Sequence, residues 1–146
     1  MDLTIIIFLL GGLFLGWSLG ANDAANVFGT AVGTRMVKFK TAALVCSVFV
    51  ILGAIISGAG TTETLGKLGA INALPGAFAA CVAAGLSVYI MTKFGLPVST
   101  TQAIVGAIVG WNIYTGSSTN IKVLFTILIT WILCPIIAAL IAMLFF

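Results

Sequence analysis

The sequence predicts an all-α integral membrane protein, and three observations carry that prediction. The first is charge. Of 146 residues 62% are hydrophobic and 6% are charged, whereas a soluble domain carries roughly a quarter charged residues. Nine charges cannot solvate a globular surface. That excludes a soluble domain, a disordered chain and a nucleic-acid binder, and it makes the lipid bilayer the first partner. The second is spacing. The charges divide the chain into neutral runs at 3–22, 41–62, 68–92, 94–121 and 123–146, and roughly 20 apolar residues cross the hydrocarbon core as a helix. The third is pattern. Ile5–Leu10, Val48–Ile56 and Ile136–Phe146 are unbroken apolar blocks, without the alternation of a barrel strand. At about 26 residues per span and turn, the length gives five to six segments, in one transmembrane domain over 1–146.

The first segment runs from Leu3 to Gly20. Its small residues Gly11, Gly12 and Gly16 allow close helix approach. Asp2 replaces the basic start of a secretory signal, and the apolar run continues towards Val32, which argues against cleavage. Next comes a stretch of unusual polarity at membrane depth, Gly20 to Thr34, with a carboxylate, two amides and glycines at 20, 29 and 33. A break in the first helix is expected near 20–33. Arg35, Lys38 and Lys40 form a short basic loop, and Lys93 falls on the same side two crossings later. By the positive-inside tendency that side is cytoplasmic, with the N-terminus outside, in the plasma (inner) membrane.

Segment two is expected over about 41–58, a surface connection over 59–73 and segment three over 74–93, with Pro75 suited to a first helical turn. Pro97 likewise opens a helix that has only about 15 residues before the polar run 115–120. A short re-entrant or half helix near 97–114 is therefore expected. The last segment is 121–146, kinked at Pro135. The three cysteines lie far apart in apolar runs, and there is no histidine. No metal-site spacing, paired carboxylates or nucleophile motif is present, so neither a cofactor nor an enzyme is expected.

Two polar islands carry the chemistry. Asn22, Asp23 and Asn26 with Thr30 form the first, and Ser99, Thr100, Thr101 and Gln102 the second. Asp23 is the one charge in residues 3–34. An ionised carboxylate at that depth has to face a cavity, a cation or a donor. A helix break would free carbonyls to join Asp23 and the amide oxygen of Asn26 around Na⁺. The second island follows Pro97, where helix N–H groups gather and attract anions. Together they describe an ion-coupled anion symporter. The alternatives are structural: Asp23 as a packing carboxylate, and the Ser-Thr-Thr run as a helix cap.

The stretch Gly20-Ala-Asn-Asp-Ala-Ala-Asn-Val-Phe-Gly-Thr-Ala-Val-Gly33 resembles the signature of the inorganic phosphate transporter (PiT) family. Leu96-Pro-Val-Ser-Thr-Thr-Gln-Ala-Ile-Val-Gly106 resembles its second landmark, and the separation of about 75 residues also fits. Gln102 departs from the pattern, since many members carry His there; an amide keeps hydrogen bonding but takes up no proton. The resemblance implies a symporter of inorganic phosphate with Na⁺ or H⁺ as coupling ion, built of two inverted repeats. Carried over by position, Asp23 and Asn26 with Ser99, Thr100, Thr101 and Gln102 line the site, and Asn22 belongs to the helix break. Family members are longer and contain the signature twice, so this chain resembles one repeat, the N-terminal half. The implied partner is a second copy, as a homodimer that inserts antiparallel, or a chain supplying the second half. Transport of another oxyanion such as sulfate, and a non-transporting subunit or truncated remnant, are the other readings.

Overall fold

The structure is a computed structural model that describes residues 3–69 and 74–145. Among these residues five helices follow one another: α1 (Leu3–Gly33), α2 (Phe39–Leu68), α3 (Leu74–Lys93), α4 (Thr100–Thr115) and α5 (Ile121–Phe145). No strand occurs among them. All except α4 are long and apolar enough to cross a membrane. The chain is thus an all-α, multi-pass integral membrane protein.

α1 corrects one expectation. It is continuous for 31 residues, with no break near 20–33. The glycines there each cost a helix about 1 kcal/mol relative to Ala, but no proline removes a backbone donor, so the ladder holds. The polar side chains that suggested a break are satisfied from outside the helix, as described below. At 1.5 Å per residue α1 is roughly 46 Å long, longer than the hydrocarbon core.

α2 corrects a second. It continues through 59–68, where a surface connection was expected. The hydroxyls of Thr62 and Thr64 fold back onto the carbonyls of Gly58 and Gly60, and Lys67 pairs with Glu63 one turn away. These polar residues are thereby accommodated on a helix. Of the connection, residues 70–73 lie outside the described residues, as do Asp2 and Phe146. α3 occupies its expected span, with Pro75 in the first turn.

α1 and α3 pack side by side and parallel. Phe8 meets Phe78 edge-on at 5.6 Å, Trp17 lies 5.7 Å from Tyr89, and a Cβ on Gly85 would strike Phe14. Small residues allow this approach: Gly11 faces Phe78 as closely as Gly85 faces Phe14. α4 returns antiparallel to α3. It begins beside Asp23 and reaches Trp111, whose indole occupies the space beside Gly76. The short helix is 16 residues, roughly 24 Å. It travels back along α3 to the opposite end, so the short helix expected here is observed and does not re-enter on the side it came from.

Leu68, Ala80, Val105 and Ile108 form the buried core where α2, α3 and α4 meet. Asn120 N–H donates to the Leu68 carbonyl at 2.9 Å, seating the start of α5 against the end of α2. α5 has no buried residue and carries Pro135 in its interior, as the sequence indicates. The α1–α2 turn and the α3–α4 turn therefore share one end of the bundle, the Lys93 end. Leu68 and Thr115 mark the other.

Candidate functional site

The segment 94–99 links α3 to α4 and sets the site. Its geometry follows from two residues. Gly95 adopts φ +69°, which a residue with a Cβ rarely does. Its N–H donates to the Thr92 carbonyl at 2.9 Å, and Leu96 N–H to that of Met91 at 3.0 Å, so α3 ends there. Pro97 then keeps the chain extended until Ser99, the N-cap of α4, whose hydroxyl accepts from Gln102 N–H at 3.3 Å. The first-turn N–H groups of α4 have no carbonyl acceptor within the helix; that of Gln102 is taken by the cap, and those of Thr100 and Thr101 remain at the helix start.

Thr100 Oγ1 donates to Asp23 Oδ2 at 2.9 Å across 77 positions of sequence. The two islands therefore meet. Asn22 is buried at 4% exposure, and its bonding pattern orients the amide. The nitrogen donates to the Val98 carbonyl at 2.8 Å and to Asp23 Oδ1 at 3.2 Å, while the oxygen accepts from Thr92 Oγ1 at 2.9 Å. The Asn26 amide lies 3.0 Å from that of Asn22, one turn along α1. Each oxygen of the Asp23 carboxylate thus faces a donor, which is how a carboxylate is accommodated away from bulk water.

These groups line a cleft of about 370 Å³, formed by Asp23 and Asn26 on one side and Pro97, Val98, Ser99, Thr100 and Thr101 on the other. No Lys or Arg lines it. Of the eight residues singled out in the sequence, Asp23, Asn26, Ser99, Thr100 and Thr101 border the cleft. Asn22 stands behind it as a strut, and its expected place in a helix break is not found. Thr30 lies seven residues beyond Asp23 on α1, roughly 10 Å away, and does not line the cleft. Gln102 is exposed on the first turn of α4, and only its backbone joins the cap.

Thr92 and the Val98 carbonyl were not anticipated. Thr92 had a signal, as a hydroxyl beside Lys93 in the last turn of a mostly apolar α3. The Val98 carbonyl has none, because its exposure follows from the extended link and not from its side chain. A further contrast concerns cation ligands. The unbroken α1 keeps its carbonyls in the helical ladder, so the backbone oxygens available beside Asp23 come from the 94–99 link instead. No group of three or more His, Cys, Asp or Glu that could hold a metal ion occurs among the described residues.

The helices and this cluster define a multi-pass helical membrane protein with a carboxylate–hydroxyl site between its first and fourth helices. The chain belongs to the phosphate transporter family, which it matches over residues 19–146. It is 40% identical over 156 aligned residues to "Putative phosphate permease TK2061" of Thermococcus kodakarensis, which covers all of this chain and 38% of that protein. It is 38% identical to "Putative phosphate permease PF1020" of Pyrococcus furiosus, covering 99% of this chain and 38% of that protein. It is also 32% identical to "Inorganic phosphate transporter 2-1, chloroplastic" of Arabidopsis thaliana, over 93% of this chain and 25% of that one. The chain thus spans less than two fifths of the length of these relatives. No solved structure matches it.

Proposed function

We propose that this chain supplies one half of an ion-coupled symporter for inorganic phosphate, with no covalent chemistry. The observation that carries the reading is the Thr100–Asp23 bond, which joins the two signature segments at one cleft. Thr100, Thr101 and Ser99, with the first N–H groups of α4, supply neutral donors for the oxyanion. Asp23 and Asn26 supply oxygens for Na⁺, while Gln102 and Thr30 stand outside the cleft. A bound cation beside Asp23 offsets the repulsion between the carboxylate and phosphate, which couples the two ligands. Proton coupling is the alternative at the same carboxylate. The absence of fixed cations from the cleft suits release as well as capture.

The partner is a second copy, inserted antiparallel, or a chain carrying the other half. The relatives' greater length supports this, and so do the largely exposed apolar surfaces of α5, which has no fully buried residue, and of α2. The proposed setting is the plasma (inner) membrane, with Arg35, Lys38, Lys40 and Lys93 cytoplasmic and the N-terminus outside.

The test is radiolabelled phosphate uptake into liposomes, with and without a Na⁺ gradient, for this chain alone and after chemical crosslinking. Na⁺-dependent uptake by a crosslinkable dimer is the expected result. Uptake by a species that crosslinks only as monomer would refute the half-transporter reading. Full inhibition by equimolar sulfate would assign the cleft to oxyanions at large.

A further inference from the structure

A second concavity lies beside the cleft. It measures about 380 Å³ and runs between α2, α4 and α5, lined by Ser57, Thr61, Thr64, Thr101, Val105 and Ile127 among others. Thr101 belongs to both cavities. Its exposed side chain, on the first turn of α4, is the partition between them. Beyond it, Ser57, Thr61 and Thr64 are spaced i, i+4 and i+7, so they descend one face of α2 away from the Asp23 cleft and towards Leu68.

Their hydroxyls are not equivalent. Buried in a helix at membrane depth, Ser and Thr ordinarily satisfy themselves on the carbonyl one turn back. On α2 Ser47, Thr62 and Thr64 do so, at 2.8–3.0 Å. Thr126 and Thr130 of α5 do the same. Ser57 and Thr61 make no such bond, and no hydrogen bond of either side chain is found among the described residues. Thr101 likewise has none. Ser57, Thr61 and Thr101 are thus hydroxyls without a hydrogen-bond partner among the described residues, and all three border a single groove.

We infer that the Ser57–Thr61–Thr101 groove is a hydrated second station for the oxyanion, reached from the Asp23 cleft past Thr101 and leading along α2 towards the Lys67 end. The inference rests on the phosphate reading of the cleft. Free hydroxyls facing hydrocarbon would gain nothing, whereas in a water-bearing groove they replace part of an anion's hydration. The groove has room for several waters. Its sparse donors and its walls of Val105 and Ile127 make it a weaker site than the cleft, which lets the ion move on instead of being trapped. Lys67 lies one turn past Thr64 and is paired with Glu63, which moderates its hold on an anion at that end of α2.

The test uses the full chain in membranes, with Cys46, Cys81 and Cys134 replaced by Ala. Single cysteines are introduced as Ser57→Cys, Thr61→Cys and Thr101→Cys, with Ile55→Cys on the open apolar face (76% exposed) as control. Each is treated with a charged, membrane-impermeant thiosulfonate, with and without inorganic phosphate. The expected result is labelling at 57, 61 and 101 faster than at 55 by more than about tenfold, the contrast a charged reagent shows between water and hydrocarbon. Phosphate should slow labelling at both 101 and 61. Labelling at 57 and 61 as slow as at 55 overturns the groove, whatever the cleft does. Protection at 101 but not at 57 or 61 leaves the cleft standing and overturns the second station. Rapid labelling with no protection anywhere overturns the phosphate reading itself and the station with it. Ser57→Cys is close to isosteric, so it reports even where Thr61→Cys folds poorly.

Discussion

Thr100 and Asp23 are 77 residues apart in sequence, yet the threonine hydroxyl donates to the carboxylate at 2.9 Å. This bond joins α1 to the first turn of α4, the place where an anion meets helix N–H groups. A hydrogen bond to a charged group is worth about 1.5–3 kcal/mol. Thr100→Val should therefore weaken half-saturating phosphate uptake by roughly ten- to a hundredfold, while Thr100→Ser, which keeps the hydroxyl, should stay close to the parent. Equal loss in both variants would show that the methyl, not the hydroxyl, is what matters.

Asp23→Asn removes the charge and keeps the shape. The expected outcome is loss of Na⁺-dependent uptake with membrane insertion and helical content unchanged, read by uptake and by circular dichroism. Undiminished Na⁺ dependence in this variant would exclude Asp23 as the coupling group.

Asn22 ties three pieces of chain together: Thr92 at the end of α3, the Val98 carbonyl in the link, and Asp23 beside it. It is buried, so Asn22→Leu strands the Val98 carbonyl and should cost about 1–3 kcal/mol, seen as a lower midpoint of thermal unfolding in detergent. Thr92→Val should cost less, because one bond is lost and the Val98 contact survives. The two losses should be non-additive, since both residues belong to one network. Simple additivity would mean that Asn22 and Thr92 act separately.

How much of this was legible follows from what each residue signals. The five neutral runs foreshadow the five helices, because charge is costly in hydrocarbon wherever it falls, although four of the helices, not five or six, are long and apolar enough to cross a membrane. Both polar islands were visible because Asp23, Asn22 and Asn26 are anomalous on an apolar helix. Their effect on α1 was misjudged. Polarity and glycine suggested a break, but a helix tolerates both when partners such as Thr92 and Thr100 come from other helices, and that is a tertiary fact. The extension of α2 through 59–68 was missed for the same reason in reverse. Thr62, Thr64 and the Glu63–Lys67 pair look like loop residues by composition, yet each is satisfied within one helical turn. Thr30 shares a face with Asp23 in the sequence, but the cleft closes before reaching it.

The α1–α3 contact offers a test in which two glycines, Gly85 on α3 and Gly12 on α1, give opposite signs. A Cβ at Gly85 would come within 2.7 Å of the Phe14 ring, which is itself packed against Trp17 at 6.1 Å. A Cβ at Gly12 of α1 meets nothing within 4 Å. Both positions are helical, so alanine brings the same gain in propensity, about 0.5–1 kcal/mol. At Gly12 that gain is unopposed, and Gly12→Ala should raise the unfolding midpoint. At Gly85 the ring has to be displaced along with its stacking partner, and overpacking of this kind costs about 1–3 kcal/mol, so Gly85→Ala should lower it. Pairing Gly85→Ala with Phe14→Leu frees the space the ring occupied and should recover part of the loss. No recovery in the double variant would place the strain elsewhere than on Phe14, and a stabilised Gly85→Ala would show that α1 and α3 lie farther apart than the close approach described above.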